Sequence, residues 1–250
     1  MQILLTNDDG IASSGLTLLA AALRRAGHRV LVLAPDSDRS GISHAITFLS
    51  GPCKLTMLGE DTWSCSGTPV DCVVMALLGA IHETEKYIPD MVISGINRGA
   101  NLGTDIVYSG TAAAARQAVL GGIPGLALSL VEGGDNWYWD TAVSFVIDNL
   151  ENMRDYWKPG YFVNVNIPNS AAPPSGLVPA FPARRLYNDS LDRYKTKSGE
   201  IYCFTRGGMS SARPEAGSDH DAVSGNFASI SAVYIHPAVP GEIIERKEMG

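Results

Sequence analysis

Asp8 and Asp9 stand side by side near the amino terminus, followed at once by Gly10. Adjacent carboxylates repel each other, and a shared hard cation with oxygen ligands is the strongest common remedy. The plainer alternative is a pair of loop acids, one capping the next helix and the other facing water. Three more polar groups fall just beyond predicted strands: Ser40, Asn97 and the turn Ser109-Gly110-Thr111. Asp8, Asp9, Ser40 and Asn97 make an all-oxygen donor set, which suits Mg²⁺ or Mn²⁺ and suits zinc poorly. Ser109, Gly110 and Thr111 open an alanine-rich helix, where free amides can hold an anion at the positive end of the helix dipole. Read alone, Ser109 is also a plain N-cap.

A hard cation beside an anion-binding helix terminus implies phosphate-ester chemistry, with a metal-activated water as nucleophile. Asp8 or Asp9 would orient that water or take its proton. A covalent aspartyl-phosphate is a second route. It is disfavoured because no Asp stands two residues after either member of the pair. His44, four residues after Ser40, is a candidate proton donor; the plainer reading is a loop histidine packed locally. His28, His82, His220 and His236 have no metal spacing and are expected at the surface or a sheet edge. Gly95, Gly99 and Gly103 allow close backbone approach to a ligand but do not form G-x-G-x-x-G. A serine hydrolase is excluded by the lack of G-x-S-x-G.

The apolar pattern supplies the elements that must position these groups. Ile3 to Leu5 is an unbroken apolar run, as in a strand covered on both faces, and it ends at the acidic pair. Leu16, Leu19, Ala20 and Leu23 form one stripe of a helix from Gly15 to Gly27, with Arg24 and Arg25 in its last turn. Arg29 to Ala34 is a second strand closed by Pro35, so the opening is a right-handed βαβ unit. The loop Asp36 to Ser43 returns to the edge that carries Asp8. Residues 45–66 read as short strands in a small antiparallel excursion. Thr68 and Pro69 start a helix as N-cap and N1. Met91 to Ser94 is a strand that breaks at Gly95 into a long loop, Ile96 to Tyr108. Helices at 112–120 and 139–153 alternate with strands at 125–130 and 161–167.

The fold class is therefore α/β over residues 1–168: a Rossmann-like, doubly wound three-layer sandwich with a mostly parallel sheet. Ligands in such sheets bind at the carboxyl ends of the strands. Composition changes after Pro168. Residues 169–183 are rich in Pro, Ala and Ser, and 184–210 alternate polar and apolar residues around Asn188-Asp189 and Ser198-Gly199, as in β-hairpins. A short helix from Ser218 and a last strand, Ala228 to Ile235, follow. Residues 169–250 thus form a C-terminal extension with a β-hairpin arm. Its unpaired edges predict a homo-oligomer.

With 250 residues, 45% hydrophobic and 18% charged, the chain has ample material for a core. A net charge of -7 argues against stable nucleic-acid binding. It leaves room for a small anionic substrate, because a bound cation inverts the local field. Cys53, Cys65, Cys72 and Cys203 lack C-x-x-C spacing and read as reduced thiols of a cytoplasmic protein. No basic leader and no membrane-length apolar run is present, so no membrane partner is expected. Trp137, Tyr138 and Trp139 read as core or interface aromatics rather than base-stacking groups. Two other classes lack a required part. A nucleotide-sugar transferase would need a second Rossmann domain. A signalling receiver would need an acceptor Asp where Ser94-Gly95-Ile96-Asn97 stands.

The segment Leu5-Thr6-Asn7-Asp8-Asp9-Gly10 resembles the signature of the SurE family, the survival-protein nucleotidases. The likeness continues through Ala34-Pro35-Asp36 with Arg39-Ser40-Gly41, and through Gly67-Thr68-Pro69-Val70-Asp71-Cys72. It extends over Ser94-Gly95-Ile96-Asn97, Asn101-Leu102-Gly103 and Tyr108-Ser109-Gly110-Thr111-Ala112. The resemblance implies a metal-dependent 5'(3')-nucleotidase acting on nucleoside monophosphates, and on short polyphosphate. It implies one divalent cation per subunit at Asp8, Asp9, Ser40 and Asn97. Asn101 and Ser109-Gly110-Thr111 match the phosphate side, and Gly41 and His44 are placed with the substrate. It further implies a hairpin exchanged between subunits, and dimers or tetramers in the cytoplasm. Ser13-Ser14-Gly15 replaces the family's Ala-Pro-Gly, and the segment from Ser218 to Ala232 departs from its pattern.

Overall fold

The computed structural model describes residues 1–81, 87–185, 187–207 and 215–237. Strand β1 (Gln2–Thr6) carries Ile3 and Leu5 into one apolar layer and Leu4 into the other, all three fully buried. That is why its apolar run is continuous rather than alternating. Helix α1 (Ser14–Arg25) buries Leu16, Leu19 and Leu23 against the first layer. β2 (Arg29–Pro35) then pairs parallel to β1 with Leu4 opposite Leu31.

β3 (Leu55–Gly59) and β4 (Thr62–Cys65) form an antiparallel pair, and β4 lies parallel on β2. The excursion expected over 45–66 is therefore an extension of the main sheet, and its strands begin only at Leu55. Helix α2 (Pro69–Leu77) starts at a capping box: Thr68 Oγ accepts the Asp71 amide, and Asp71 accepts the Thr68 amide. Both Thr47 donors also reach Asp71. β5 (Met91–Arg98) runs further than expected and takes in Asn97. Gly95 does not end the strand. It sits in a bulge between Ser94 and Asn97, at φ +132°, where a Cβ would lie 2.3 Å from the Leu128 carbonyl oxygen. The loop beyond contains a 3-10 turn, Gly103–Val107.

Helix α3 (Gly110–Leu120) buries Ala112 to Ala115 and Ala118 completely. Such small side chains stabilise little by area, and they let the helix lie close to the sheet. β6 (Gly125–Leu130), helix α4 (Trp139–Asp155) and β7 (Tyr161–Ile167) complete the parallel core. In the extension, β8 (Leu177–Pro179) and β11 (Ala228–Tyr234) join the same sheet, and β11 is antiparallel to β7. A single hairpin, β9 (Ser190–Lys195) with β10 (Ile201–Arg206), stands apart from it. Helix α5 (Asp219–Ser224) has Ser218 as its N-cap.

Among the described residues nine strands thus form one sheet, in the order β3-β4-β2-β1-β5-β6-β7-β11-β8. α1 and α4 cover one face, and α2 and α3 the other. From β1 the chain crosses to β2 on one side, and from β5 onward it crosses the other way. The carboxyl ends of β1 and β5 therefore flank a switch-point crevice, the usual ligand site of such sheets. No described helix is long and apolar enough to cross a membrane. The four cysteines are free; Cys203 is exposed on the hairpin. His82, part of the predicted arm (186, 208–210) and residues 238–250 lie outside the described residues.

Candidate active site

Asn7 fixes the turn after β1. Its Nδ2 donates to the Gly10 carbonyl at 3.0 Å and to Ser13 Oγ at 2.7 Å. The turn sends the two acids into different surroundings. Asp8 is 3% exposed. Its Oδ2 accepts the Thr111 amide at 3.0 Å, and its Oδ1 accepts the Thr111 hydroxyl. A Cβ on Gly110 would lie 2.8 Å from Asp8 Cβ, so only glycine lets the α3 terminus close on this carboxylate. The anion held at the helix N-terminus is Asp8 itself. Burial raises its pKa despite the Thr111 bonds. Asp9 is half-buried, and its Oδ2 accepts the Arg98 amide at 3.0 Å. Burial, reinforced by Asp8 and Asp38, pushes its carboxyl up to about 6 against that bond. The site thus carries negative charge held at a cost.

The other two donors arrive from neighbouring elements. The Arg39 amide donates to the Asp8 carbonyl at 2.7 Å, which hooks the 36–41 loop over the turn. Ser40 donates its hydroxyl to Asp38 Oδ1 at 2.6 Å. Asn97 donates Nδ2 to the Gly99 carbonyl at 3.0 Å. In both, the hydrogen-bearing atom is committed elsewhere and the oxygen keeps lone pairs for a ligand. Among the described residues no cluster of three or more His, Cys, Asp and Glu could hold a metal. Two carboxylates, a hydroxyl and an amide oxygen instead fit a hard divalent cation whose shell is completed by water.

Asp8, Ser40, Gly41, Asn97, Asn101 and Ser109 line one cleft of about 220 Å³. Asp9 lines an adjoining cavity of about 440 Å³. Arg98 lines both. Ser109 Oγ accepts the Ala112 amide at 3.0 Å, so it is an N-cap, and its own O–H is left to donate. Gly110 and Thr111 are buried behind Asp8. His44 lines neither cleft: its Nε2 lies 3.0 Å from Gln117 Oε1, and burial lowers its pKa. His28 and His220 are half-buried, and His236 is exposed.

Asn101 was expected at the site, but its supports Ser129, Asn164 and Asn166 escaped the sequence reading. Asn101 Nδ2 donates to Ser129 Oγ at 2.7 Å. Its amide donates to Asn166 Oδ1 at 2.8 Å, and its carbonyl accepts Asn164 Nδ2 at 2.9 Å. Two fully buried asparagines alternate in the otherwise apolar β7, and that pattern was the available signal. Asp38 precedes Ser40 at the spacing of an Asx-turn. Arg98 had no signal, since a surface arginine is ordinary. Asp219 accepts the amides of Gly103 at 2.7 Å and Ala183 at 2.9 Å, so α5 braces the far wall of the cleft. Arg185 pairs with Asp105 on the same wall.

A family model described as survival protein SurE matches residues 3–188. The 5'-nucleotidase SurE of Geotalea daltonii is 36% identical over 239 residues, covering 94% of this chain and 93% of that one. Its counterpart from a Synechococcus species is 38% identical over 241 residues, covering 92% and 90%. The crystal structure of SurE protein from Aquifex aeolicus superposes with a TM-score of 0.82 at 32% identity, covering 95% of each chain.

Proposed function

The chain belongs to the SurE family, and from that premise we propose that it is a phosphomonoesterase. It hydrolyses nucleoside 5'- and 3'-monophosphates to nucleoside and phosphate, and trims short polyphosphate. The carrying observation is the switch-point site, where two acceptor carboxylates, Asp8 and Asp9, meet the Ser40 and Asn97 oxygens, whose hydrogen-bearing atoms donate elsewhere. One Mg²⁺ or Mn²⁺ per subunit is held by Asp8, Asp9, Ser40 and Asn97. When bound there it supplies Lewis-acid polarisation of the phosphoryl group and acidifies water.

The two acids divide the work. Both Asp8 oxygens are engaged by Thr111, so Asp8 is the fixed anchor. Asp9 has one oxygen on the Arg98 amide and the other open, so Asp9 orients the attacking water and takes its proton. Ser109 donates its hydroxyl to the phosphate, and Asn101 donates its remaining amide hydrogen. Residues 1–168 carry this chemistry, and the extension braces it. Exposed Leu191, Tyr194, Ile201, Tyr202 and Phe204 on the hairpin support a homodimer or homotetramer through that arm. Free thiols support a cytoplasmic location. A net charge of -7 supports the absence of a stable nucleic-acid partner.

The test is phosphate release from AMP and 3'-AMP with Mg²⁺, with Mn²⁺ and with EDTA, beside Asp8→Asn. Metal-dependent turnover that Asp8→Asn removes is expected. Equal turnover in EDTA, or full activity of the variant, would sink the proposal.

A further inference from the structure

The cavity beyond Asp9 is twice the size of the cleft that holds the other three donors: about 440 Å³ against about 220 Å³. The larger value falls in the range of roughly 300–1,000 Å³ seen for small-molecule sites. The smaller suits a group of a few atoms, such as a phosphate. One wall of the cavity is a stack. The Trp137 and Trp139 rings have centroids 5.6 Å apart and planes 16° from parallel. The Arg98 guanidinium lies 5.0 Å from the centroid of Trp137.

The two tryptophans have different duties. Trp139 opens α4, and a Cβ on Gly15 would meet its ring at 2.9 Å, so it is a packing residue. Trp137 stands in the loop before α4, and both rings are partly buried against the core. Arg98 is unusual for its setting. Asp9 and Asp38 line the same cavity, yet among the described residues its guanidinium has no hydrogen bond or ion pair. It lies over an indole instead, in the wall shared by the two cavities.

We propose that this cavity takes the nucleoside half of the substrate, with the base against the Trp139–Trp137–Arg98 stack and the phosphate in the smaller cleft. The inference rests on the phosphomonoesterase reading and adds to it what the enzyme recognises beyond phosphate. Every nucleobase has a π-face, so a stack of this kind accepts nucleosides as a class. Besides Asp9 and the Arg98 guanidinium, the polar lining is a carboxylate and two hydroxyls, Asp38, Ser13 and Ser14. These match the donors of a nucleoside, its ribose hydroxyls and exocyclic amino groups. Asp9 sits at the junction, where the ester bond joining the two halves would lie.

The test compares AMP with ribose 5-phosphate, which keeps the ester and lacks the base. Both are assayed in the same Mn²⁺ buffer for the wild type, Trp137→Ala and Trp137→Phe. Calorimetric titration with adenosine gives a second readout. Trp137→Ala is expected to lower kcat/KM for AMP about tenfold, mainly through KM, since a stacked base contributes on the order of 5- to 150-fold. Ribose 5-phosphate is expected to be unaffected, Trp137→Phe to retain most of the AMP activity, and adenosine affinity to fall with the alanine change alone. Equal losses on both esters, or no loss on either, overturn the nucleoside site and leave the phosphatase reading standing. If the wild type hydrolyses neither ester, the phosphatase reading fails. The titration then decides the cavity by itself, and adenosine binding unchanged by Trp137→Ala, or absent, overturns it. Where Trp137→Ala does not fold, Arg98→Ala removes the exposed outer layer of the stack and is expected to show the same preference for loss on AMP.

Discussion

Asp9→Asn should stabilise the metal-free protein while abolishing its activity. The Asp9 carboxyl is pushed from 3.8 up to about 6, chiefly by burial and then by Asp8 and Asp38. Each pKa unit corresponds to about 1.36 kcal/mol, so the full shift amounts to about 3 kcal/mol. Asp9 is only half-buried, and solvent screening reduces this to about 1–2 kcal/mol. The sign follows from linkage. A carboxyl with a raised folded-state pKa favours the folded state fully below its unfolded value, and that contribution is lost as pH rises through about 6. Asn has no charge to lose, and its side-chain oxygen still accepts the Arg98 amide. In EDTA at about pH 7.5 the variant should therefore melt a few degrees above the wild type, at roughly 2–4 °C per kcal/mol for a chain of this size. At about pH 5 the gap should shrink, because Asp9 is then largely protonated. Saturating Mg²⁺ should reverse the order, since a ligand at 100 times its Kd adds about 2.7 kcal/mol to the form that binds it. Thermal melts followed by circular dichroism at both pH values, with EDTA and with Mg²⁺, read all three effects. A variant that melts below the wild type in EDTA at neutral pH, or a gap that ignores pH, would refute the view that this carboxylate is held at a cost for a cation.

Thr111→Val deletes the hydroxyl that fixes Asp8 and keeps the amide bond. Calorimetric Mn²⁺ titration should show affinity weakened about 10- to 100-fold in a folded protein, and unchanged affinity would mean that Thr111 is only filler. Asp71→Ala breaks the capping box of α2 and frees Thr47. It should cost about 1–3 kcal/mol in urea unfolding and leave Mn²⁺ affinity untouched, because its hydrogen-bond partners Thr47 and Thr68 do not line the cleft. Replacing Tyr202 and Phe204 together by Ser should shift light-scattering mass toward the monomer, and an unaltered mass would place the association elsewhere.

The parallel core was legible because its strands are buried on both faces and read as unbroken apolar runs. The cap at Thr68 and the stripe of α1 followed from local chemistry. Gly95 misled, since a glycine in a strand signals an end and a bulge alike. Only the tertiary contact with Leu128 tells them apart. The three-residue β8 was invisible because its strand character comes from pairing with β11, not from Leu177–Pro179. The oxygen donors were legible by type, and their assignment to one sheet edge followed from topology. What each donor's hydrogen was bonded to was not. The engagement of Asp8 by Thr111, 103 positions away, makes it the more tightly held of the two acids, and no local pattern encodes it. His44 looked well placed by spacing, but in space Gln117 occupies it.

The brace from Asp219 to Gly103 and Ala183 bears on how the molecule comes into being. A nascent chain released through residue 168 already owns Asp8, Asp9, Ser40 and Asn97. It lacks Asp219, it lacks Arg185 to meet Asp105, and the outer edge of β7 still waits for β11. The wall of the cleft is thus assembled last, by the part of the chain made last. Synthesis interrupted before α5 leaves the donors without their enclosure, so a truncated product is expected to be inert toward the cell's nucleotides rather than an unregulated phosphatase.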